Sequence, residues 1–179
     1  APVVSGETLY VFTGHDLDTA TYFRMPDWQV FSTKDMKHWE NHGIVLSTAT
    51  FKWAKQGDNA WASQAIERNG KWYWYVAAED TVAHLHGIGV AVADRPEGPF
   101  RPEPDPIRGS YSIDPCVFKD DDGEIYCYFG GIWGGQLQWY KDNKALKNEY
   151  LPSGKENPLP SRVARMTADV LQFAEQSRP

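Results

Sequence analysis

The chain has little of what marks several common classes of protein. Two cysteines in 179 residues are too few for a disulfide framework. No apolar run approaches the ~20 residues that a membrane-spanning helix needs, and residues 1–14 lack the basic start and cleavage pattern of a signal peptide. The 18 Lys and Arg residues are scattered and the net charge is −6, so we expect no nucleic-acid or membrane partner. The compartment is left open between cytoplasm, periplasm and secretion.

Helical periodicity is also scarce, and only residues 163–175 show a trace of it. Aromatic side chains are abundant instead, with eight Trp, nine Tyr and eight Phe. Such rings fill the cores of β-sheets and also stack on the apolar faces of sugars. Composition alone therefore leaves both uses open.

A repeat runs along the chain. The segments SGETLYVFTGHD (5–16), NGKWYWYVAAED (69–80) and DGEIYCYFGGIW (122–133) each place a glycine turn before alternating aromatic and aliphatic residues. This pattern is typical of a tight hairpin turn that leads into a strand. Gly6, Gly70 and Gly123 are thus predicted to be equivalent corners.

Each hairpin has apolar neighbours on both sides in the sequence. A short run precedes the turn at 1–4, 61–68 and 113–119, and a further strand follows at 28–39, 87–100 and 163–173. A unit of this kind that recurs every ~50–65 residues is expected of propeller blades. We predict an all-β chain of about three four-stranded antiparallel blades, at about 1–55, 56–108 and 109–179.

Asp114 is the most unusual residue of the third unit, because it lies in the apolar run SIDPCVF (112–118). Desolvating a lone carboxylate is costly unless the carboxylate is paired or lines a polar cavity. A turn aspartate that caps the strand is the alternative explanation. The position of Asp114 at the head of an inner strand favours the cavity.

Four motifs in order resemble glycoside hydrolase family 43, in its β-xylosidase and α-L-arabinofuranosidase branch. They are STKDMKHW (32–39), AWASQAIERNGKWYWYV (60–76), GVAVADRPEGPF (89–100) and SIDPCVFKDDDGEIYCYFGG (112–131). The resemblance covers nearly the whole chain. It implies the N-terminal part of a five-bladed β-propeller.

The resemblance implies three carboxylates around a central pocket: a general base on the first blade, an Asp-Pro aspartate on the third and a general acid on the fourth. Asp114 matches the second, whose implied role is to orient the acid and raise the pKa of that acid. The implied reaction is hydrolysis with inversion, in which acid and base stand about 6.5–9.5 Å apart. The register places the base upstream of Ala1, and no residue after Asp169 matches the acid.

Glu97 lies in an outer-strand turn and is expected to be a solvated loop residue, so we do not assign it as the acid. A second polypeptide segment is therefore expected to carry the remaining blades and the acid, since a three-blade piece leaves open sheet faces. The predicted partners are that segment and a xylo- or arabino-oligosaccharide.

Further residues are candidates for sugar binding. A structural role is the alternative for each: core packing for Trp61, a solvated loop for His15 and Asp16, and a surface or blade contact for Arg165. The predicted substrate-binding residues are Trp61, Ile113, Trp133, His15, Asp16, Gln64 and Arg165.

No cofactor is predicted for the chemistry and no metal ligand is assigned. The family resemblance implies a structural calcium ion at the propeller axis. The run DDDG (120–123) lacks the ligand pattern of a helix-loop-helix calcium loop and indicates a hairpin turn. His84 and His86 have a spacing that can chelate a metal on one strand face, but no third ligand is evident.

The sequence thus predicts part of an exo-acting glycosidase that releases xylosyl or arabinosyl units from hemicellulose. A non-catalytic carbohydrate-binding propeller fragment is the alternative from another class, and a fructan-active propeller hydrolase is a third possibility.

Overall fold

The computed structural model describes residues 1–179. All regular structure is β apart from three short 3-10 helices, at Thr48–Thr50, Trp133–Gly135 and Leu137–Trp139. None of these helices has the length or the apolar character to cross a membrane. The strands are β1 (Pro2–Ser5), β2 (Thr8–His15), β3 (Asp27–Thr33), β4 (Glu40–Ser47), β5 (Ser63–Arg68), β6 (Lys71–Glu79), β7 (His86–Ala93), β8 (Arg101–Pro102), β9 (Ile113–Lys119), β10 (Ile125–Gly130), β11 (Tyr140–Lys141), β12 (Lys144–Ala145) and β13 (Arg162–Arg165).

The first two sheets are four-stranded antiparallel meanders. Their strand orders are β1-β2-β3-β4 and β5-β6-β7-β8. In each sheet the first hairpin closes at a glycine in the left-handed region, with φ of 59° at Gly6 and 73° at Gly70. Glycine adopts this conformation without a Cβ penalty, so the predicted corners are confirmed.

The third sheet is less regular. Its order is β13-β10-β9, and β11 and β12 form a separate small hairpin. Isolated bridges from Val163 to Arg178 and from Met166 to Phe173 place the last residues beside β13 as an irregular fourth edge. Glu175 belongs to this edge, and its carboxylate accepts a hydrogen bond from the Arg165 amide at 3.1 Å.

The sheets pack face to face in chain order through the middle sheet. Successive side chains on a strand point to opposite faces, so Trp72 and Trp74 of β6 contact the first sheet while Tyr75 packs toward the third. The Phe12 ring meets Trp74 edge-on, with centroids 4.8 Å apart. The Tyr75 hydroxyl donates to the Val170 carbonyl at 2.9 Å. Each junction is thus a continuous hydrophobic core, with most of the aromatic rings at the first and aliphatic side chains prevailing at the second.

The two outer faces of this stack are open. On the third sheet Phe118 is 52% exposed and Tyr128 is 43% exposed, and Cys116 lies on the same face. On the first sheet Val4 and Ile44 are exposed. We call these the open face of the third sheet and the open face of the first sheet. The prediction that a three-blade piece exposes its end faces is confirmed.

Candidate active site

The strands β1, β5 and β9 are the inner edges of the three sheets. Each is the terminal strand of its sheet, β9 lies against β5, and β5 lies against β1. Strand β9 begins at Ile113, beside the end of β10 at Gly130. We call this side of the molecule the Asp114 end. The hairpin corners Gly6, Gly70 and Gly123 lie at the opposite end.

Asp114 is the second residue of β9 and has a φ of 58°, in the left-handed region. Its neighbours Pro115 and Val117 are buried, while Asp114 itself is exposed at the strand edge. The partial burial of its carboxyl group raises the pKa of Asp114 above the ordinary value. No salt bridge neutralises the Asp114 carboxylate. When Asp114 is ionised, its negative charge is therefore unpaired and partly removed from solvent.

The loop at residues 131–136 packs against the start of β9. The Ser112 hydroxyl donates to the Gly135 carbonyl. A Cβ at Gly135 would lie 3.2 Å from the Ile113 side chain, and one at Gly131 would lie 3.3 Å from the same side chain. The backbone therefore approaches Ile113 closely at two points. Ile113 thus supports the loop beside Asp114.

Trp61 lies just before β5 and packs against the same loop from the other side. A Cβ at Gly134 would fall 2.5 Å from the indole ring of Trp61, so only glycine fits there without movement. The Trp61 carbonyl accepts a hydrogen bond from the Trp28 indole at 2.7 Å. Trp133, in the same loop, is 71% exposed at the Asp114 end. The structure thus brings Trp61, Ile113 and Trp133 to one loop beside Asp114.

His86 and Gln136 join this group, and neither was predicted to bind sugar from the sequence. The His86 ring stacks on Trp61, with centroids 4.4 Å apart and planes tilted by 33°. The His86 amide donates to the Gln136 side-chain oxygen. Desolvation lowers the pKa of His86. We call Trp61, His86 and Gln136 the histidine cluster.

His15 and Asp16 also lie at the Asp114 end, where β2 finishes. The His15 ring pairs with the buried Asp27 carboxylate at 2.8 Å, while Asp16 is exposed. The pairing fixes the His15 ring against the first residue of β3. Asp16 has no such partner and begins the loop that leads to β3.

That loop carries an exposed aromatic pair that the sequence analysis missed. Tyr22 and Phe23 are 75% and 60% exposed, and Phe23 lies 6.4 Å from Trp61 between ring centroids. Arg24 anchors the loop by a 2.9 Å ion pair to Asp58. The signal in the sequence was two consecutive aromatic residues in a polar segment between two predicted strands.

Two of the predicted sugar-binding residues have other surroundings. The Gln64 side-chain oxygen accepts a hydrogen bond from the Val117 amide and joins two sheets. Arg165 pairs with Tyr126 in the strand register near the opposite end, and its guanidinium contacts Glu124 at 3.2 Å. The structure does not bring Arg165 to the Asp114 end. A direct contact with sugar is therefore not proposed for either residue.

Glu97 lies at the end opposite Asp114, where its carboxylate is 3.4 Å from the Tyr10 hydroxyl. This placement agrees with a turn residue. The proximity of Glu97 adds to burial in raising the pKa of Tyr10. Glu97 is thus too far along the strands to act beside Asp114.

No group of three or more His, Cys, Asp or Glu side chains could hold a metal ion. His84 lies in a turn with φ of 53°, whereas His86 begins β7, so the two histidines do not share a strand face. Asp120 and Gly123 close the hairpin turn through a backbone hydrogen bond of 2.9 Å. These residues do not supply a calcium site, and an axial calcium ion stays a prediction.

The fold and the site define a set of β-propeller blades with a partly buried carboxyl group and aromatic side chains at one end of the inner strands. Residues 3–156 match glycosyl hydrolases family 43. The chain belongs to this family, whose structures are five-bladed propellers, and it contributes about three of the blades.

Named relatives support the assignment. A protein named "Beta-xylosidase" from Xylanibacter ruminicola is 54% identical over 95% of this chain and 56% of its own length. A "Xylosidase/arabinosidase" from Bacteroides ovatus is 46% identical over 95% of this chain and 54% of its own length. The chain therefore spans about half the length of these relatives.

A solved structure confirms the likeness of the fold. The GH43_1 enzyme from Xanthomonas citri, complexed with xylotriose, superposes with a TM-score of 0.91 at 45% identity. The superposition covers 99% of this chain and 53% of that one.

Proposed function

We propose that the complete protein is an inverting exo-glycosidase that releases xylosyl or α-L-arabinofuranosyl units from hemicellulose. The observation that carries the proposal is the placement of Asp114 at the head of an inner strand, where partial burial raises the pKa of its carboxyl group. A structural turn aspartate normally finds hydrogen-bond partners for its carboxylate. The names of the relatives and the bound xylotriose of the X. citri enzyme favour a pentose substrate.

Asp114 acts on the general acid in this proposal, and it does not attack the sugar. A negative charge close to a carboxylic acid disfavours ionisation of that acid and keeps it protonated near neutral pH. The acid then gives its proton to the departing oxygen, while a second carboxylate activates water on the opposite face of the sugar. The aromatic side chains near Asp114 offer flat apolar surfaces for the ring of the sugar.

A second polypeptide segment completes the propeller in this proposal. The open face of the third sheet and the open face of the first sheet carry exposed Phe118, Tyr128 and Ile44. Apolar faces of this kind are normally covered. The covering segment would supply the general acid, because the family resemblance places that acid on the fourth blade and no residue after Asp169 matches it.

Nitrophenyl β-xyloside and nitrophenyl α-L-arabinofuranoside assays of the complete protein test the proposal. We expect hydrolysis of at least one, an inverted anomer in the first NMR spectra of the product, and a large loss of kcat in Asp114→Asn. A retained anomer would contradict the mechanism. Binding of xylo-oligosaccharide without turnover by the unchanged protein would instead support the non-catalytic alternative, and hydrolysis of sucrose would support the fructan-active one.

A further inference from the structure

The histidine cluster concentrates unused hydrogen-bonding capacity at the Asp114 end. Trp61 Nε1, His86 Nε2 and Gln136 Nε2 are buried and have no hydrogen-bond partner. Elsewhere only Trp53 Nε1 and Arg162 Nε share this condition. Buried polar atoms without partners are rare and costly in folded proteins. Three of the five such atoms in the protein therefore lie in one contact group.

Backbone strain coincides with the cluster. Gln136 is 5% exposed and has a φ of 71°, which is unfavourable for a residue with a Cβ. Its side-chain oxygen is held by the His86 amide, and the adjacent Leu137 amide donates to the Gly131 carbonyl at 3.0 Å. A strained residue persists only when its surroundings fix it. The His86–Gln136 contact is one such constraint on the loop.

The 131–136 loop packs between the Trp61 indole on one side and the Ile113 side chain on the other. Gly134 leaves no space against the indole of Trp61, and Gly135 leaves little against Ile113, which precedes Asp114. His86 touches the indole through its ring and the loop through its amide. His86 therefore contacts both the Trp61 indole and the 131–136 loop beside Asp114.

We propose that His86 is a positioning residue of the sugar site, which sets the orientation of the Trp61 indole and holds the 131–136 loop through Gln136. The inference rests on the proposed function for the identity of the ligand, whereas the coupling of the three residues rests on their contacts alone. Desolvation lowers the pKa of His86, so its ring is neutral near pH 7 and stacks without a buried charge.

The coupling is tested without any substrate. The complete protein is labelled with 5-fluorotryptophan, and the fluorine resonance of Trp61 is assigned by its loss in Trp61→Phe. Gln136→Gly removes the side chain that the His86 amide holds. Glycine adopts the left-handed backbone at position 136 without strain, so the backbone conformation is kept. We expect this variant to shift the Trp61 resonance. The matched control His84→Ala alters an exposed histidine two residues away and should leave that resonance in place. An unchanged Trp61 resonance in Gln136→Gly would overturn the proposal.

The effect on sugar binding is tested by steady-state kinetics on nitrophenyl xyloside. Loosening an aromatic contact of this kind should raise KM by about three- to tenfold in His86→Ala, with a smaller change in kcat. His86→Phe keeps a flat ring under the indole and should restore KM. The effects of His86→Ala and Gln136→Gly should be non-additive in the double variant. Additive effects, or no recovery in His86→Phe, would contradict a positioning role.

The two proposals fail in different ways. A protein that turns over no glycoside but shows the Trp61 shift in Gln136→Gly loses the proposed function and keeps the coupling. A protein that hydrolyses xyloside with unchanged KM in His86→Ala keeps the function and loses the positioning role. A thermal unfolding curve of each variant shows that the comparison is made between folded proteins.

Discussion

Asp114 combines two features that are unfavourable for the stability of the fold. Its left-handed φ of 58° costs a non-glycine residue about 1 kcal/mol, and its partly buried carboxyl group has a raised pKa. Asparagine tolerates the same backbone conformation. Replacement by asparagine therefore removes the charge while keeping the shape.

We predict that Asp114→Asn is more thermostable than the unchanged chain at pH 7. The folded state holds the Asp114 proton more tightly than the unfolded state does, because its pKa is raised in the fold. The fold is thus penalised as the pH rises from about 3.8 through the raised pKa, and the penalty persists above it. At pH 3 the carboxyl is protonated in both states and the advantage should vanish. Melting temperatures at pH 3 and pH 7 measure this.

Asp121→Asn is the matched control, since Asp121 is exposed in the hairpin turn. It should change the melting temperature little at either pH. A destabilised Asp114→Asn at pH 7 would show that the carboxylate has a structural role instead.

Tyr75 gives a second test at the scale of one residue. Its hydroxyl is buried and donates to the Val170 carbonyl across a sheet junction. Burial raises the pKa of Tyr75, so the hydroxyl keeps its proton and acts as a donor. We predict that Tyr75→Phe lowers the free energy of unfolding by about 1–3 kcal/mol, because a buried acceptor loses its partner. Urea denaturation measures the change, and Tyr22→Phe, in an exposed side chain, is the control.

Individual site residues were only partly predictable from the sequence. The positions of Asp114 and Trp61 were predictable, because repeat counting places them at the start of inner strands. His86 and Gln136 were missed because their contact joins positions 50 residues apart, which no local pattern encodes. Arg165 was predicted to bind sugar, and its place at the opposite end was not foreseen because it depends on pairing with β10.

Among larger elements, the β3–β4 turn depends on one carboxylate. Asp35 accepts hydrogen bonds from the Lys37 and His38 amides, each at 2.8 Å, and from the His38 ring at 2.7 Å. These bonds, with the His38 amide the largest cause, lower the pKa of Asp35 to about 2. The turn is thus organised around an ionised side chain.

We predict that Asp35→Ala lowers the melting temperature at pH 7 and that the difference shrinks as the pH falls below about 3.8 toward about 2. The depressed pKa means that the ionised form stabilises the fold above the unfolded-state pKa, and that protonation removes this contribution. Thermal unfolding between pH 2 and pH 7 checks the trend. Lys34→Ala alters an exposed neighbour and should show no comparable dependence. A constant difference across that range would contradict the argument.

The 131–136 loop provides an element whose fit is steric. A Cβ at Gly134 would lie 2.5 Å from the Trp61 ring. Overpacking of this kind typically costs about 1–3 kcal/mol. We predict that Gly134→Ala destabilises the protein by an amount in this range and weakens xylotriose binding, measured by chemical denaturation and calorimetry. In a Trp61→Ala background the same change should cost much less, and an equal cost would show that the indole is not the obstacle.

Strands were more predictable than loops. The glycine corners and the strands that follow them are set by residue types within a few positions of one another, and the repeat then gives the inner-strand position of β9. The irregular fourth edge of the third sheet was not foreseen, because bridges at Phe173 and Arg178 are separated by residues without strand pairing. Its polar sequence hid the contact with β13. The division of the chain into blades near 55 and 108 stays a prediction.

For the molecule as a whole, the two junctions and the two open faces use similar side chains. Phe129 is buried at a junction, while Phe118 is exposed on the open face of the third sheet. The two phenylalanines differ in exposure because a neighbouring sheet covers Phe129 and none covers Phe118. Because apolar surface of this kind is stabilised by burial at about 25 cal/mol per Å², the open faces favour association with a complementary sheet.

The two cysteines report whether that association occurs. Cys116 is exposed on the open face of the third sheet, whereas Cys127 is fully buried and burial strongly raises the pKa of its thiol. Only a thiolate reacts readily with maleimide or disulfide reagents.

In residues 1–179 alone we predict rapid labelling of Cys116 and none of Cys127 before unfolding. In a polypeptide of the length of the relatives, Cys116 should become protected by at least about tenfold, because protection reflects the fraction of time that the covering sheet is displaced. Cys127 serves as the internal control for global unfolding in both proteins. Equal labelling of Cys116 in the two would mean that the open face is not where the remaining sheets pack, and the five-bladed assembly proposed around Asp114 would need a different arrangement.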